Sequence, residues 1–134
     1  MSHWAFMADP ESYGWKELER DGSTAWDGVA NATAQRHLRA CRPDDQVLIY
    51  HTAPDKAVIG IARVTSEPRP DPADAKRVVV EVSPVRPLAR PLPLAELRAD
   101  ATLQHLGFVR MPRVAVQPVS DPQWRRVLEL SGTR

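Results

Sequence analysis

Residues 44–64, DDQVLIYHTAPDKAVIGIARV, contain the two strands that decide the fold. The segment 46–51 is apolar on both faces, which is typical of a strand inside a sheet. The segment 57–64 is a second strand of the same kind, and the short loop between them predicts an antiparallel pair. Gly60 predicts a bulge or sharp bend in the second strand, a feature that curls a sheet into a barrel.

The rest of the chain predicts short strands interleaved with short helices. Further strands are predicted at 3–8, 78–82 and 113–118, and helices at 12–20, 32–41, 94–99, 101–106 and after Ser120. Asn31 is a suitable N-cap for the second helix, Asp100 for the fourth, and Gly107 is expected to end the fourth. The proline-rich segment 67–72 is predicted to be a loop, and 84–93 to be extended chain pairing at an edge. The pattern predicts an α+β fold, a small mixed β-barrel with peripheral short helices, in one domain over residues 1–134.

Composition excludes several classes of function. A net charge of +1 argues against a strongly cationic nucleic-acid surface, so any contact with a polyanion is expected to be local. The only cysteine, Cys41, cannot form an intramolecular disulfide and suits a reducing compartment. The N-terminus lacks the features of a signal peptide and no apolar run has membrane-spanning length, so we expect a cytoplasmic protein without a membrane partner.

The segment Trp26-Asp27-Gly28-Val29-Ala30-Asn31 has two interpretations. As a ligand site, Trp26 offers a stacking face, Asp27 offers acceptors, Gly28 permits a close backbone approach, and Asn31 can bond a base edge. As a structural turn, the same residues are a core tryptophan, an Asp-Gly corner and a helix cap. The residues of this segment alone do not choose between the two.

The other aromatic residues follow a simpler pattern. Trp4 and Trp124 lie on apolar faces and are expected in the core, whereas Trp15 beside a glycine is expected to be partly exposed. Tyr50 and His51 end the first interior strand, where the mouth of a barrel presents polar groups. The alternative is that Tyr50 bonds at the rim and His51 begins a loop.

Charged and nucleophilic residues give weaker signals. Arg36 and Arg39 lie on the polar face of the second helix, where they could contact phosphates or simply be solvated. The four histidines have no metal-ligand spacing, so no metal is expected. Cys41 lies on the apolar helix face, where a thiol is usually inert, and no nucleotide-binding or nucleophile motif occurs. No cofactor is expected, and an enzyme is the less favoured class.

With these segments assembled, the chain from Trp4 to Leu130 resembles the EVE domain family of the PUA-like superfamily. The segments that carry the resemblance are Trp26–Asn31, Asp44–His51, Gly60–Val64, Pro70–Pro72 and Arg113–Val119, followed by Trp124. They occur in order along nearly the whole chain. The combination is therefore far more specific than any one of them.

The resemblance implies a PUA-like barrel of five or six strands that reads nucleic acid. In such a reader, a pocket takes up a modified base that has left the stack of DNA or RNA. Carried over by position, the pocket residues are Met7, Ala8, Trp26, Asp27, Gly28, Asn31, Tyr50, His51, Ala115 and Gln117. In the leading hypothesis below, the phosphate contacts are Arg36, Arg39 and Arg113.

Polar or aromatic residues usual in the family are replaced at four places in this chain. Met7-Ala8 stands where Lys-Ser is usual, Ala30 replaces an arginine, Ala32-Thr33 replaces Tyr-Gln, and Ala115 replaces a serine. Apolar sites discriminate between ligands by only about 1–3 kcal/mol. We therefore predict a roomier, less polar pocket, with an altered or weakened base preference or with nucleic-acid binding lost.

Three hypotheses follow. The leading one is a non-catalytic reader of a modified, flipped base. The second is a binder of a free nucleoside-like molecule, which the low net charge supports and a salt-insensitive affinity would distinguish. The third is an RNA-processing enzyme, with Asp27 and His51 as its acid–base pair.

Overall fold

The computed structural model describes residues 2–133, which form eight strands and five α-helices. The strands are β1 (His3–Ala8), β2 (Thr24–Ala25), β3 (Gln46–His51), β4 (Ala57–Val64), β5 (Arg69–Asp71), β6 (Asp74–Val79), β7 (Glu81–Pro93) and β8 (Val116–Val119). The helices are α1 (Trp15–Asp21), α2 (Ala32–Ala40), α3 (Leu94–Ala99), α4 (Gly107–Arg110) and α5 (Asp121–Ser131), with a 3-10 turn at Leu103–His105.

Six strands form one mixed sheet in the order β2-β7-β4-β3-β1-β8. Only β1 and β3 are parallel, and every other neighbouring pair is antiparallel. The sheet curls into a half-barrel of the PUA-like α+β type, as the sequence predicted. The predicted irregularity at Gly60 is confirmed, because the β4–β7 register shifts between Val58 and Gly60.

Alternate residues of the central strands enter two separate cores. Phe6, Val47 and Ile49 belong to a cluster with Trp15, Trp26 and α2, while Ala5, Leu48 and Tyr50 belong to a cluster with α3, α4 and α5. Successive strand side chains point to opposite faces, so the sheet has apolar packing on both sides. This explains why residues 46–51 lack polar–apolar alternation.

Gly60 also allows a close contact on the first of these faces. A Cβ at position 60 would lie 2.7 Å from the indole of Trp15. Trp15 is consequently buried, with 5% of its surface exposed, and the prediction that it is half-exposed is wrong. The sequence pattern around Trp15 did not reveal its partner, because that partner lies 45 residues away.

Several predicted boundaries are also wrong. Arg69–Asp71 is a strand that pairs with β6, because its one proline, Pro70, lies in an exposed two-stranded ribbon that tolerates a missing donor. The predicted strand 78–82 is divided at Val80 between β6 and β7, and the predicted strand 113–118 begins only at Val116. The predicted helix 101–106 is reduced to the 3-10 turn, and Gly107 begins α4 instead of ending that helix.

The predicted caps Asn31, Asp100 and Ser120 all accept backbone N–H hydrogen bonds.

Candidate functional site

A concave cavity opens where β1 ends, beside the segment that begins at Trp26. We call it the first cavity; its volume is about 500 Å³, and it is lined by Met7, Ala8, Asp9, Ser12, Tyr13 and residues 24–28. Cavities of about 300–1,000 Å³ accommodate small organic ligands. The first cavity therefore has room for a nucleobase-sized group.

Trp26 has both a structural and an exposed part. It is 8% exposed, its ring lies 5.4 Å from that of Phe6 at an angle of 46°, and its backbone N–H donates to the carbonyl of Val80 at 2.8 Å. These contacts fix the indole in the core, while its remaining surface lines the first cavity. The core and ligand interpretations of Trp26 are thus compatible. Next to it, Gly28 has φ of 74°, the left-handed backbone that glycine adopts at little cost.

Tyr13 is a second aromatic wall that the sequence did not single out. Its hydroxyl donates to the Asp21 carboxylate at 2.7 Å, and it packs against the first core cluster. Burial, followed by the bond to Asp21, raises the pKa of the Tyr13 hydroxyl. The phenol therefore stays neutral near pH 7 and its ring is held in place at the cavity. The only sequence feature that could have predicted the position of Tyr13 is Asp9-Pro10, where the chain turns back after β1.

Asp9 and Asp27 place carboxylates at the first cavity. Asp9 accepts the N–H of Glu11 at 3.0 Å and the hydroxyl of Ser12 at 3.2 Å, which fixes the turn after β1. Asp27 is exposed at the rim. The cavity therefore combines aromatic walls with acceptor groups, which suits a flat ligand that carries N–H donors.

Three predicted site residues have their polar groups engaged within the fold. The side chain of Asn31 accepts the N–H of Ala34 at 3.0 Å and so caps α2. Nε2 of His51 accepts the N–H of Trp15 at 3.0 Å, and Nδ1 lies 2.9 Å from the Asp55 carboxylate. The buried Gln117 amide donates to the carbonyl of Val114 at 3.1 Å. These contacts support local structure.

A second cavity of about 340 Å³ lies at the end of β1 near the second core cluster. We call it the second cavity; it is lined by Met7, Tyr50, Thr52, Ala53, Lys56, Leu94, Arg98, Phe108, Val109 and Pro112. Met7 lines both cavities, and its N–H donates to the carbonyl of Ala115 at 2.9 Å. The predicted residues Met7, Ala8, Trp26, Asp27 and Gly28 line the first cavity, whereas Tyr50 lies in the second.

The three arginines predicted to contact phosphates are all exposed. Arg39 donates to the carbonyl of Lys76 at 2.8 Å and so ties α2 to β6. Arg36 lies on the same helix, and Arg113 precedes β8. Their phosphate contacts remain predictions.

Other chemistry receives no support from the described part of the chain. Within residues 2–133, no group of three His, Cys, Asp or Glu side chains could hold a metal ion. Cys41 is fully buried, and burial raises the pKa of its thiol to about 12, which keeps it protonated and unreactive. No helix between Ser2 and Thr133 has the length and apolarity needed to cross a membrane.

Comparisons with known proteins identify the family and the fold of this chain. The EVE domain family profile matches residues 2–130. The NMR structure of Rpa0253 from Rhodopseudomonas palustris is 32% identical with a TM-score of 0.93, covering 98% of this chain and 94% of that one. Human thymocyte nuclear protein 1 is 25% identical in an alignment that covers 96% of this chain and 73% of the relative.

A crystal structure of human thymocyte nuclear protein 1 in complex with DNA containing 5-methylcytosine shares the fold. Its TM-score is 0.90 at 24% identity, and the alignment covers 100% of this chain and 99% of that one. The match of the family profile over almost the whole length, with the half-barrel and the cavity beside Trp26, gives one conclusion. This chain belongs to the EVE domain family.

Proposed function

We propose that this protein is a non-catalytic reader that takes a modified, flipped base of DNA or RNA into the first cavity. The observation that carries the proposal is the open cavity of about 500 Å³ beside Trp26. Stacking of one base on an aromatic side chain contributes about 1–3 kcal/mol. Tyr13 and Trp26 therefore supply much of what is needed to hold a base that has left its stack.

The polar groups of the first cavity favour a base with an exocyclic amino group. Asp27 at the rim is an acceptor, and the glycine beside it brings the backbone close to the ligand. A carboxylate that accepts a hydrogen bond is the usual protein contact to the N4 amino group of cytosine. The complex of human thymocyte nuclear protein 1 with DNA containing 5-methylcytosine supports the same ligand class.

Met7 and Ala8 supply an apolar part of the cavity wall. An apolar wall can contact a methyl group but gives only modest discrimination, about 1–3 kcal/mol. We therefore propose a preference for methylated over unmodified cytosine of roughly 5- to 150-fold.

A free nucleoside-like ligand is the alternative that one observation favours. The carboxylates Asp9 and Asp27 lie at the first cavity, and carboxylates repel the phosphates of a polymer. Affinity for a nucleoside that equals the affinity for the matching oligonucleotide, with no dependence on salt, would select this alternative.

The RNA-processing alternative is disfavoured by the bonding of His51. Its Nε2 accepts the Trp15 N–H and its Nδ1 faces Asp55, so no lone pair of the ring is free to take a proton from a substrate. Asp27 then has no His51 to complete the acid–base pair that the RNA-processing hypothesis requires.

The test fills the first cavity without removing core packing. Ala25 lines this cavity at half-burial, and Ala25→Trp places an indole where the base would lie. We expect fluorescence titration with a 5-methylcytosine oligonucleotide to show at least a tenfold loss of affinity, about 1.4 kcal/mol.

The matched control is Ala73→Trp in the exposed turn between β5 and β6, which adds the same side chain away from both cavities. It should bind as the wild type does. Equal binding by both variants would remove the first cavity from the proposal.

A further inference from the structure

The second cavity contains three polar groups that the fold leaves without partners. Tyr50 is 4% exposed and lines this cavity, and its hydroxyl forms no hydrogen bond within residues 2–133. Lys56 and Arg98 line the same cavity, and across the described chain neither lies within 4.0 Å of a carboxylate. Although the ring of Tyr50 is buried, its hydroxyl is not among the enclosed unbonded atoms, so it is open to the cavity and can donate to a ligand there.

The nearest carboxylates in sequence are already paired with other residues. Asp55, beside Lys56, lies 2.9 Å from Nδ1 of His51. Glu96, two residues before Arg98, binds Arg90 at 2.6 Å. Among the described residues neither Lys56 nor Arg98 forms an ion pair, so both cations are available to an anion at the second cavity.

The protonation of Tyr50 suits the same ligand. Burial raises the pKa of its hydroxyl, and the positive charge of Arg98 opposes that rise only in part. The hydroxyl is consequently a proton donor at neutral pH. Three residues with donor groups, two of them cationic, thus line a cavity of about 340 Å³.

We infer that the second cavity binds a phosphodiester of the nucleic acid, next to the nucleotide whose base occupies the first cavity. This rests on the proposed reader function for the identity of the polymer, but the anion site stands on its own residues. Met7 lines both cavities, so the two cavities are neighbours. A nucleic-acid strand whose base enters the first cavity can therefore place the adjoining phosphate in the second cavity. Charged hydrogen bonds to phosphate are short and strong, and they carry no sequence information.

The chain provides one reporter for each cavity. It has only two tyrosines, Tyr13 in the first cavity and Tyr50 in the second. Selective isotope labelling of tyrosine therefore gives two ring signals in an NMR spectrum. A base-free oligomer of abasic deoxyribose phosphates should shift the Tyr50 signal and leave the Tyr13 signal unchanged, whereas 5-methyldeoxycytidine should do the reverse.

The charge variant is Lys56→Gln with Arg98→Gln, and the matched control is Lys16→Gln with Arg125→Gln. All four residues are exposed, so both variants lose two positive charges from the surface. The charge variant should lose the Tyr50 shift and should reduce by about two the slope of log affinity against log salt for a methylated oligonucleotide. The control should retain both, and the preference for the methylated base should be the same in all three proteins.

The inference and the reader proposal fail in different ways. An abasic oligomer that leaves Tyr50 unshifted, or shifts it equally in the charge variant, overturns the inference. A shift with inorganic phosphate but none with the oligomer also overturns it, because the polymer is then not the source of the phosphate. A Tyr50 shift with the oligomer, combined with a Tyr13 signal that ignores every base, supports the phosphate site and defeats the reader.

Discussion

The first and second cavities share Met7 but differ in the charge and the hydrogen-bonding groups of their side chains. The first has aromatic walls and the carboxylates of Asp9 and Asp27, whereas the second has Lys56, Arg98 and the hydroxyl of Tyr50. A flat base with amino donors suits the first, and a phosphate suits the second. The proposed reader would thus bind the base and the phosphate of a nucleotide at separate surfaces. Mutations should therefore be able to change base selectivity and the salt dependence of affinity independently.

The largest effect is expected from Trp26→Ala. Loss of one stacking partner should weaken binding of a 5-methylcytosine oligonucleotide roughly 5- to 150-fold. Loss of its packing on Phe6 should also lower the free energy of unfolding by about 3–5 kcal/mol. Circular dichroism establishes whether the variant is folded. Trp26→Phe is a second variant that keeps an aromatic ring at this position and removes less packing from the core. A folded variant with unchanged affinity contradicts the reader proposal, whereas the Tyr50 response to an abasic oligomer should persist.

Cysteine labelling should separate the two cavities in a second way. Ala25→Cys places a thiol in the first cavity and Ala53→Cys places one in the second, while native Cys41 stays unreactive because burial raises its pKa to about 12. A ligand at ten times its Kd should slow labelling about tenfold at the site it covers. We expect 5-methyldeoxycytidine to protect only Ala25→Cys, and the abasic oligomer to protect only Ala53→Cys. Protection of both sites by either ligand would show that the cavities are not separate.

The smallest effect is expected from Asp100→Ala, which weakens one wall of the second cavity. Asp100 accepts the N–H groups of Thr102 and Leu103 and binds Arg126 at 2.7 Å, and this holds the segment leading to Phe108 against α5. Loss of such a cap costs about 1 kcal/mol of unfolding free energy. Denaturant titration should show this loss, together with weaker phosphate binding and an unchanged response of Tyr13 to the nucleoside.

The same aspartate gives a pH dependence. Burial raises the pKa of the Asp100 carboxyl, but the bonds from Arg126 and the two backbone N–H groups outweigh it, and the folded-state pKa is lowered. The stabilisation is therefore present above the ordinary carboxyl pKa, near 3.9, and is lost as the pH falls through the lower folded value. The stability difference between wild type and Asp100→Ala should shrink from pH 6 to pH 3. A difference that grows on acidification would contradict this assignment.

Local patterns predicted the helix caps and the two central strands, because the causes lie within a few residues. Asn31 and Ser120 cap helices through N–H groups three residues ahead, and β3 is apolar on both faces because each face has its own core. The ribbon at Arg69–Asp71 was missed, because proline excludes a residue from the interior of a sheet but not from an exposed pair.

The candidate site was predicted only in part, for a physical reason that Trp15 and Trp26 illustrate. Both stand next to short glycine-containing turns in the sequence, and both are less than 10% exposed. Trp15 is enclosed because a distant glycine receives its ring, while Trp26 lines an open cavity. No local pattern contains that difference, since it depends on which residues the sheet brings to each indole.

The sequence by itself determined the α+β half-barrel, the family and the segment at Trp26, because periodicity, caps and motif order are properties of neighbouring residues. Only the tertiary structure decided that Asn31, His51 and Gln117 are engaged in internal hydrogen bonds, and that Tyr13 joins Trp26 at a cavity. It alone placed Lys56, Arg98 and Tyr50 around one cavity. The availability of a polar group depends on what folding places within hydrogen-bond distance, and those partners come from segments far apart in the chain.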